Sequence, residues 1–152
     1  MAKPLTLLMP VLPGVTFVDL TFSLAVYVPK LHEALRSIGT VHYARTLLLD
    51  ASSPNLQPGM HPNPSYVLAI LTEYDGDFDL YVQDFVDEVA PFFDAMLKFV
   101  VGGEALIPIT DNVEAFANYL KMNDASQHFP NDSPAAFWEA YPYTVKQILA
   151  NR

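Results

Sequence analysis

Cysteine is absent from this chain. Its absence removes disulfides, thiolate nucleophiles, iron–sulfur clusters and cysteine zinc sites together, and it suits a reducing compartment. Charge is sparse as well: 16% of the 152 residues are charged, against a usual ~25%. Eight basic residues stand against seventeen acidic ones, and the resulting formal charge of −9 repels phosphate backbones and anionic membrane surfaces. The basic residues are scattered along the chain with no basic stripe among them, so no nucleic-acid partner is expected. Long hydrophobic runs are missing too. The longest, Val15 to Val28, is interrupted by Asp19 and falls short of the ~18 residues a membrane helix needs, so no membrane partner is expected either. The apolar N-terminal run is broken by Pro4, Pro10 and Pro13 and reads as a strand rather than a targeting segment, which makes the cytoplasm the expected location. GxSxG, Walker and dinucleotide glycine motifs are also lacking, which argues against hydrolase, nucleotidase and nicotinamide chemistry.

What the chain does have is apolar surface. Half of it (51%) is hydrophobic, more than a lone small domain easily hides, and the surplus points to a partner surface. Residues 1–152 have the size of one domain, in which ~70% of the surface can be buried on folding.

Leu5 to Val11 is a short apolar run closed by Pro13 and Gly14, a first strand. Leu31, Ala34, Leu35 and Ile38 fall at helical spacing with Gly39 in the position of a terminating glycine. That helix either starts at Pro29 or runs through it from about Leu20. Thr40 to Leu49 and Tyr66 to Tyr74 read as two further strands, joined by the proline-rich loop Asp50 to Pro64, a candidate lid. Asp77 caps a long helix whose apolar stripe runs from Phe78 to Val100, with Pro91 inside it. Asp111 and Glu114 form a capping-box pattern before an extra helix, Phe137 to Tyr143 is strand-like, and Thr144 to Ala150 suits a short helix. The expected fold is α+β, a ferredoxin-like βαββαβ order with an antiparallel sheet and an extra helix before the last strand.

In such a fold helices cover one sheet face. Both faces of these strands are nevertheless apolar: Val41, Tyr43, Leu47 and Leu49 alternate with Ala44 and Leu48, and Val67, Ala69 and Leu71 with Leu68 and Ile70. A second copy of the chain is the expected cover, with the extra helix as the alternative. The segments VHYART, LTEYDGDFDLYVQDF and FWEAYPYTVKQI resemble an uncharacterised group within the dimeric α/β-barrel superfamily, over most of the chain from about Gly39. The resemblance implies a homodimer. It also raises a small-molecule or haem-binding oxidoreductase, monooxygenase or peroxidase-like, with a small apolar or anionic ligand held between sheet and helices or within the barrel.

His42 and Arg45 are the candidate catalytic residues. An imidazole on a buried strand can ligate haem iron or act as acid or base, although a core histidine bonded to a neighbour such as Tyr74 is the commoner outcome. Arg45 would bind an anionic group and, if buried, needs a carboxylate such as Glu73, Asp75 or Glu139. Strand alternation puts His42 and Arg45 on opposite faces unless a bulge intervenes. Tyr43, Tyr74 and Asp75 are the candidate ligand-binding residues. Thr72 to Gly76 superficially resembles the GxxDG motif of dye-decolourising peroxidases, but Thr72 replaces its first glycine, so Asp75-Gly76 is better read as a structural turn. Asp75, Asp77 and Asp79 imitate an EF-hand start, yet Leu80 and Val86 break it, and no histidine pair has metal-ligand spacing. His32, one turn from Arg36, reads as a solvated surface residue. No catalytic constellation assembles, and the favoured reading is a non-catalytic homodimeric module.

Overall fold

The computed structural model describes residues 2–59, 61–128 and 139–152, without the side chains of Gln127 and His128. Its strands are β1 (Lys3–Pro10), β2 (Val41–Asp50) and β3 (Tyr66–Tyr74); its α-helices are α1 (Phe17–Ile38), α2 (Phe78–Leu97), α3 (Val113–Asn123) and α4 (Val145–Ala150). Together they make a mixed α+β structure around a three-stranded antiparallel sheet of order β1-β3-β2, with β1 and β2 flanking the central β3. No helix among the described residues is long and apolar enough to cross a membrane.

The first helix starts well before Pro29. Thr16 caps it by accepting the Asp19 N–H at 3.1 Å, and the Asp19 carboxylate accepts the Thr16 N–H at 3.1 Å in return. The Thr16 bonds hold the Asp19 carboxyl below its ordinary pKa. Pro29 sits inside α1 because it and Ala25, whose carbonyl it leaves without a helical donor, are both exposed to solvent. Gly39, at φ 70°, ends the helix in the left-handed conformation and donates its N–H to the Leu35 carbonyl.

Helices α1 and α2 pack on one face of the sheet. Leu5, Leu7 and Met9 of β1 and Leu68 and Ile70 of β3 point into that layer and are buried. An aromatic spine carries the core from the sheet into the helices. Tyr74 stacks flat on Tyr81 with ring centroids 3.9 Å apart, Tyr81 meets Phe85, Phe85 meets Phe93, and Phe93 meets Phe116 of α3 edge-on at 4.9 Å. Thr72 and Tyr81, both buried, share a hydroxyl–hydroxyl hydrogen bond of 2.5 Å inside this layer.

The opposite face is different. Register places Leu8, Ala69 and Leu47 in one cross-strand row, Thr6, Leu71 and Arg45 in the next, and Pro4, Glu73 and Tyr43 at the end. Leu8, Leu47, Leu49, Val67 and Leu71 are half-buried by one another and belong to no part of the helix-covered core.

Three expectations change. The described part of the fourth strand, from Glu139 to Tyr143, is not paired as a strand, and Phe137 and Trp138 lie outside the described residues. The outer edge of β1 is instead met by Asp124, whose carboxylate accepts the Thr6 N–H at 3.0 Å, and by Ser126, whose hydroxyl donates to the Pro4 carbonyl. A side-chain acceptor thus satisfies an edge donor that a ladder would have used. Nor is there a capping box at Asp111. Asn112 takes the N-cap of α3, and its side-chain amide donates to the Leu106 and Pro108 carbonyls. The loop between β2 and β3 is pinned at its root, where Asp50 Oδ1 accepts from the Ser52 N–H and hydroxyl and from the Ser65 N–H. It leaves the sheet at the end opposite Val41 and Tyr74, so it does not cover the site described below.

The buried hydroxyl pair predicts non-additive stability. Tyr81→Phe and Thr72→Val should each cost about 1–3 kcal/mol by leaving one buried hydroxyl without its partner, while the double substitution should cost clearly less than the sum. Urea unfolding of the four-member cycle measures this, and additive losses would show that the bond contributes nothing.

Candidate functional site

A register shift lies between Val41 and Tyr43 at the start of β2: Val41 pairs with Tyr74, and Tyr43 already pairs with Glu73. His42 is therefore the extra residue of a β-bulge. Its side chain turns to the helix side, where Nε2 meets Asp75 Oδ1 at 2.8 Å. Arg45 is exposed and pairs across the sheet with Leu71 on the uncovered face, so the bulge does not bring His42 and Arg45 into one site. Being solvated, Arg45 needs no buried carboxylate. The three acids that could have served it act elsewhere: Glu73 accepts the Tyr43 hydroxyl at 2.8 Å, Asp75 holds His42, and Glu139 accepts the Ala2 N–H at 3.4 Å.

Asp75 is the junction of this region. Its second oxygen accepts the Val145 N–H at the start of α4 at 2.8 Å, and its own N–H donates to the Thr40 carbonyl at 2.8 Å. One carboxylate thus joins the end of β3, the bulged start of β2 and the last helix. Gly76, at φ 95°, makes the tight turn that follows possible, and Asp77 then caps α2 by accepting the Asp79 N–H at 2.9 Å.

Between the end of α1, the start of β2 and α4 lies a cleft of about 430 Å³. Its apolar wall includes Leu35, Val41, Ala44, Val145, Ile148 and Leu149, and its polar groups are Arg36, Arg152, His32, His42 and Tyr43. No carboxylate side chain among the described residues lines it. Among the described residues neither Arg36 nor Arg152 makes an ion pair, the one short charge contact being His42 with Asp75. No residue of α4 is buried, and Ile148 and Leu149 are each 44% exposed, so the helix leans over the cleft without being packed into the core.

The other proposed ligand residues are dispersed. Tyr74 is core: it is 4% exposed, stacked on Tyr81, and burial with Asp124 and Asp77 nearby pushes its phenol up to about 12. Tyr43 lies at the cleft rim, where partial burial and the bond to Glu73 raise its phenol above the ordinary value. Tyr66 sits at the far end of β3 near Phe17, Tyr141 and Tyr143 are exposed, and Trp138 lies outside the described residues, so these aromatics share no pocket. His61 is in the long loop and accepts the Asn63 N–H, while the side chain of His128 is not described. No group of three His, Asp or Glu residues able to hold a metal ion occurs among the described residues.

The His–Asp pair is half of an acid–base relay. Among the described residues the cleft lining holds no serine or threonine hydroxyl beside it, and the chain has no thiol. Haem fits poorly as well. Nε2, the nitrogen that can reach a porphyrin iron without crowding the backbone, is committed to Asp75, and only Nδ1, next to the main chain, is left. Comparison of the chain with protein-family models, with curated proteins and with solved structures returned no match.

Sequence reasoning found His42 and Asp75 as individuals and missed Arg36, Arg152 and the apolar side of α4 as members of a site. The missing signal is distance. Asp75 and Val145 are 70 residues apart, and nothing in either neighbourhood announces the other.

Asp75→Ala removes two hydrogen bonds at once and should cost about 1–3 kcal/mol, discounted for partial exposure. The amides of α4 should then exchange without protection while those of β3 stay protected. Retained protection in α4 would mean that Asp75 does not anchor it.

Proposed function

We propose that the chain is a homodimeric ferredoxin-like module of the dimeric α/β-barrel type, in which two copies close their open sheet faces on each other and no catalytic constellation is assembled. The observation that carries this reading is the uncovered face itself. Leu8, Leu47, Leu49, Val67 and Leu71 make a continuous apolar surface on which no described helix packs. Element order supports the ferredoxin-like part: a strand, a helix, two strands and a helix, with β1 and β2 either side of β3.

A second copy suits this face better than a charged partner does. The chain carries −9 overall, yet the ionisable groups standing across β2 and β3 on this face are one cation, Arg45, and one acid, Glu73, besides the Tyr43 phenol. Two copies can therefore approach there without the repulsion their remaining surfaces impose. A second apolar stripe, Val18, Phe22 and Val26 along α1, is more exposed residue for residue, but it is a single row on one helix rather than a face spanning three strands. The oxidoreductase reading has less support, because His42 and Arg45 stand on opposite faces and Nε2 of His42 is already engaged.

Sedimentation equilibrium tests the proposal. The expected mass is twice the 16.9 kDa of one chain, falling to a monomer with unchanged circular dichroism in Leu47→Glu, while Phe22→Glu on α1 remains a dimer. A monomeric wild type at micromolar concentration, or a Leu47→Glu variant that dimerises as before, would overturn it.

A further inference from the structure

The cleft between α1, β2 and α4 has a chemical character at odds with the rest of the molecule. In a chain of charge −9, two arginines and two histidines line one concavity that, among the described residues, no carboxylate side chain lines. Neither guanidinium is neutralised by an ion pair among the described residues. Arg36 stands in the last turn of α1, where the helix end favours a cation, and that alone would explain its sign. It does not explain Arg152, which reaches the same cleft from beyond the end of α4, nor the apolar wall between them.

From this cleft we infer a binding site for a small amphiphilic carboxylate, an oxyanion head on an apolar body. The head suits Arg36 and Arg152, since guanidinium groups present paired N–H donors that match the two oxygens of a carboxylate. The body suits Leu35, Val41, Ile148 and Leu149, two from the core side and two from α4. A volume of about 430 Å³ accommodates a chain of eight carbons. Apolar walls strengthen the local field of the two cations.

The geometry of α4 supports occupancy. Its Ile148 and Leu149 are nearly half exposed although they face the concavity, and the helix is held at its start by the bond from Val145 to Asp75. An apolar ligand body gives those side chains the cover that the described residues do not. Asp75 meanwhile holds the His42 ring at the cleft wall by Nε2. His42 thus forms a fixed part of the wall. The site lies on the helix side of the sheet, so it stands or falls independently of pairing through the open face.

Octanoate is the probe, added to the full chain and followed by calorimetry and by amide chemical shifts. Octanoate should bind with shift changes concentrated at Arg36, Gly39, Val41 to Ala44 and Val145 to Leu149. In the doubly substituted Arg36→Gln/Arg152→Gln chain the affinity should fall roughly tenfold or more, and the neutral analogue 1-octanol should bind the wild type more weakly by a similar factor. Both arginines are exposed, so the amide spectrum of the variant should otherwise match the wild type and show that the fold is intact. The proposal is overturned if octanoate gives no shifts at millimolar concentration, or if the shifts fall on the open sheet face. It is also overturned if octanol binds as tightly as octanoate, or if the variant keeps its affinity.

Discussion

A central strand that is apolar on both sides needs two covers, and this chain supplies one among its described residues. β3 sends Leu68, Ile70, Thr72 and Tyr74 into the helix layer and Val67, Ala69 and Leu71 the other way. The aromatic stripe of α2 answers the first set, and its packing against Phe116 brings in α3. Nothing in α1 to α4 answers the second set. Burial of apolar area contributes about 25 cal/mol per Å², so five large aliphatic side chains left half-covered represent a substantial driving force for association. The proposed pairing of copies rests on this strand order rather than on any special contact.

At the end of the sheet a different interaction organises the structure. Asp75 uses each of its polar groups on a different segment: one oxygen on His42, the other on the start of α4, and its N–H on Thr40. Because β2 is bulged at His42, the imidazole leaves the plane of alternation and reaches this carboxylate. His42 and Arg45 stay on opposite faces despite the bulge. What results is a wall of the cleft, with α4 as its outer side and the cations of α1 and α4 at its rim.

Much of the fold was legible because its causes are local. Asp77 was readable as a cap and Gly39 as a stop, and the third strand ran from Tyr66 to Tyr74 as its composition implied. The start of α1 was open because Pro29 alone suggested a boundary, whereas Thr16 and Asp19, a reciprocal capping pair, mark the real one. Long-range features were not legible. The expected strand near Tyr141 and the capping box at Asp111 both rested on composition, and the structure uses Asp124 at the β1 edge and Asn112 at the α3 start instead. His42 and Asp75 could be suspected one by one, but a bulge depends on cross-strand register, which no single strand encodes. His32, one turn from Arg36, read as a solvated helix residue, and both are exposed; only the return of α4 beside them makes a cleft.

The absence of cysteine allows a direct test of the proposed pairing through the open face. A single cysteine introduced as Arg45→Cys on the open face, carrying a spin label, should report a short inter-copy distance, because packed sheets lie ~10 Å apart before the label arms are added. The same label at Val18→Cys on α1 should report a long one. A short distance at α1 with a long one at Arg45, or no coupling between copies at either position, would contradict the account.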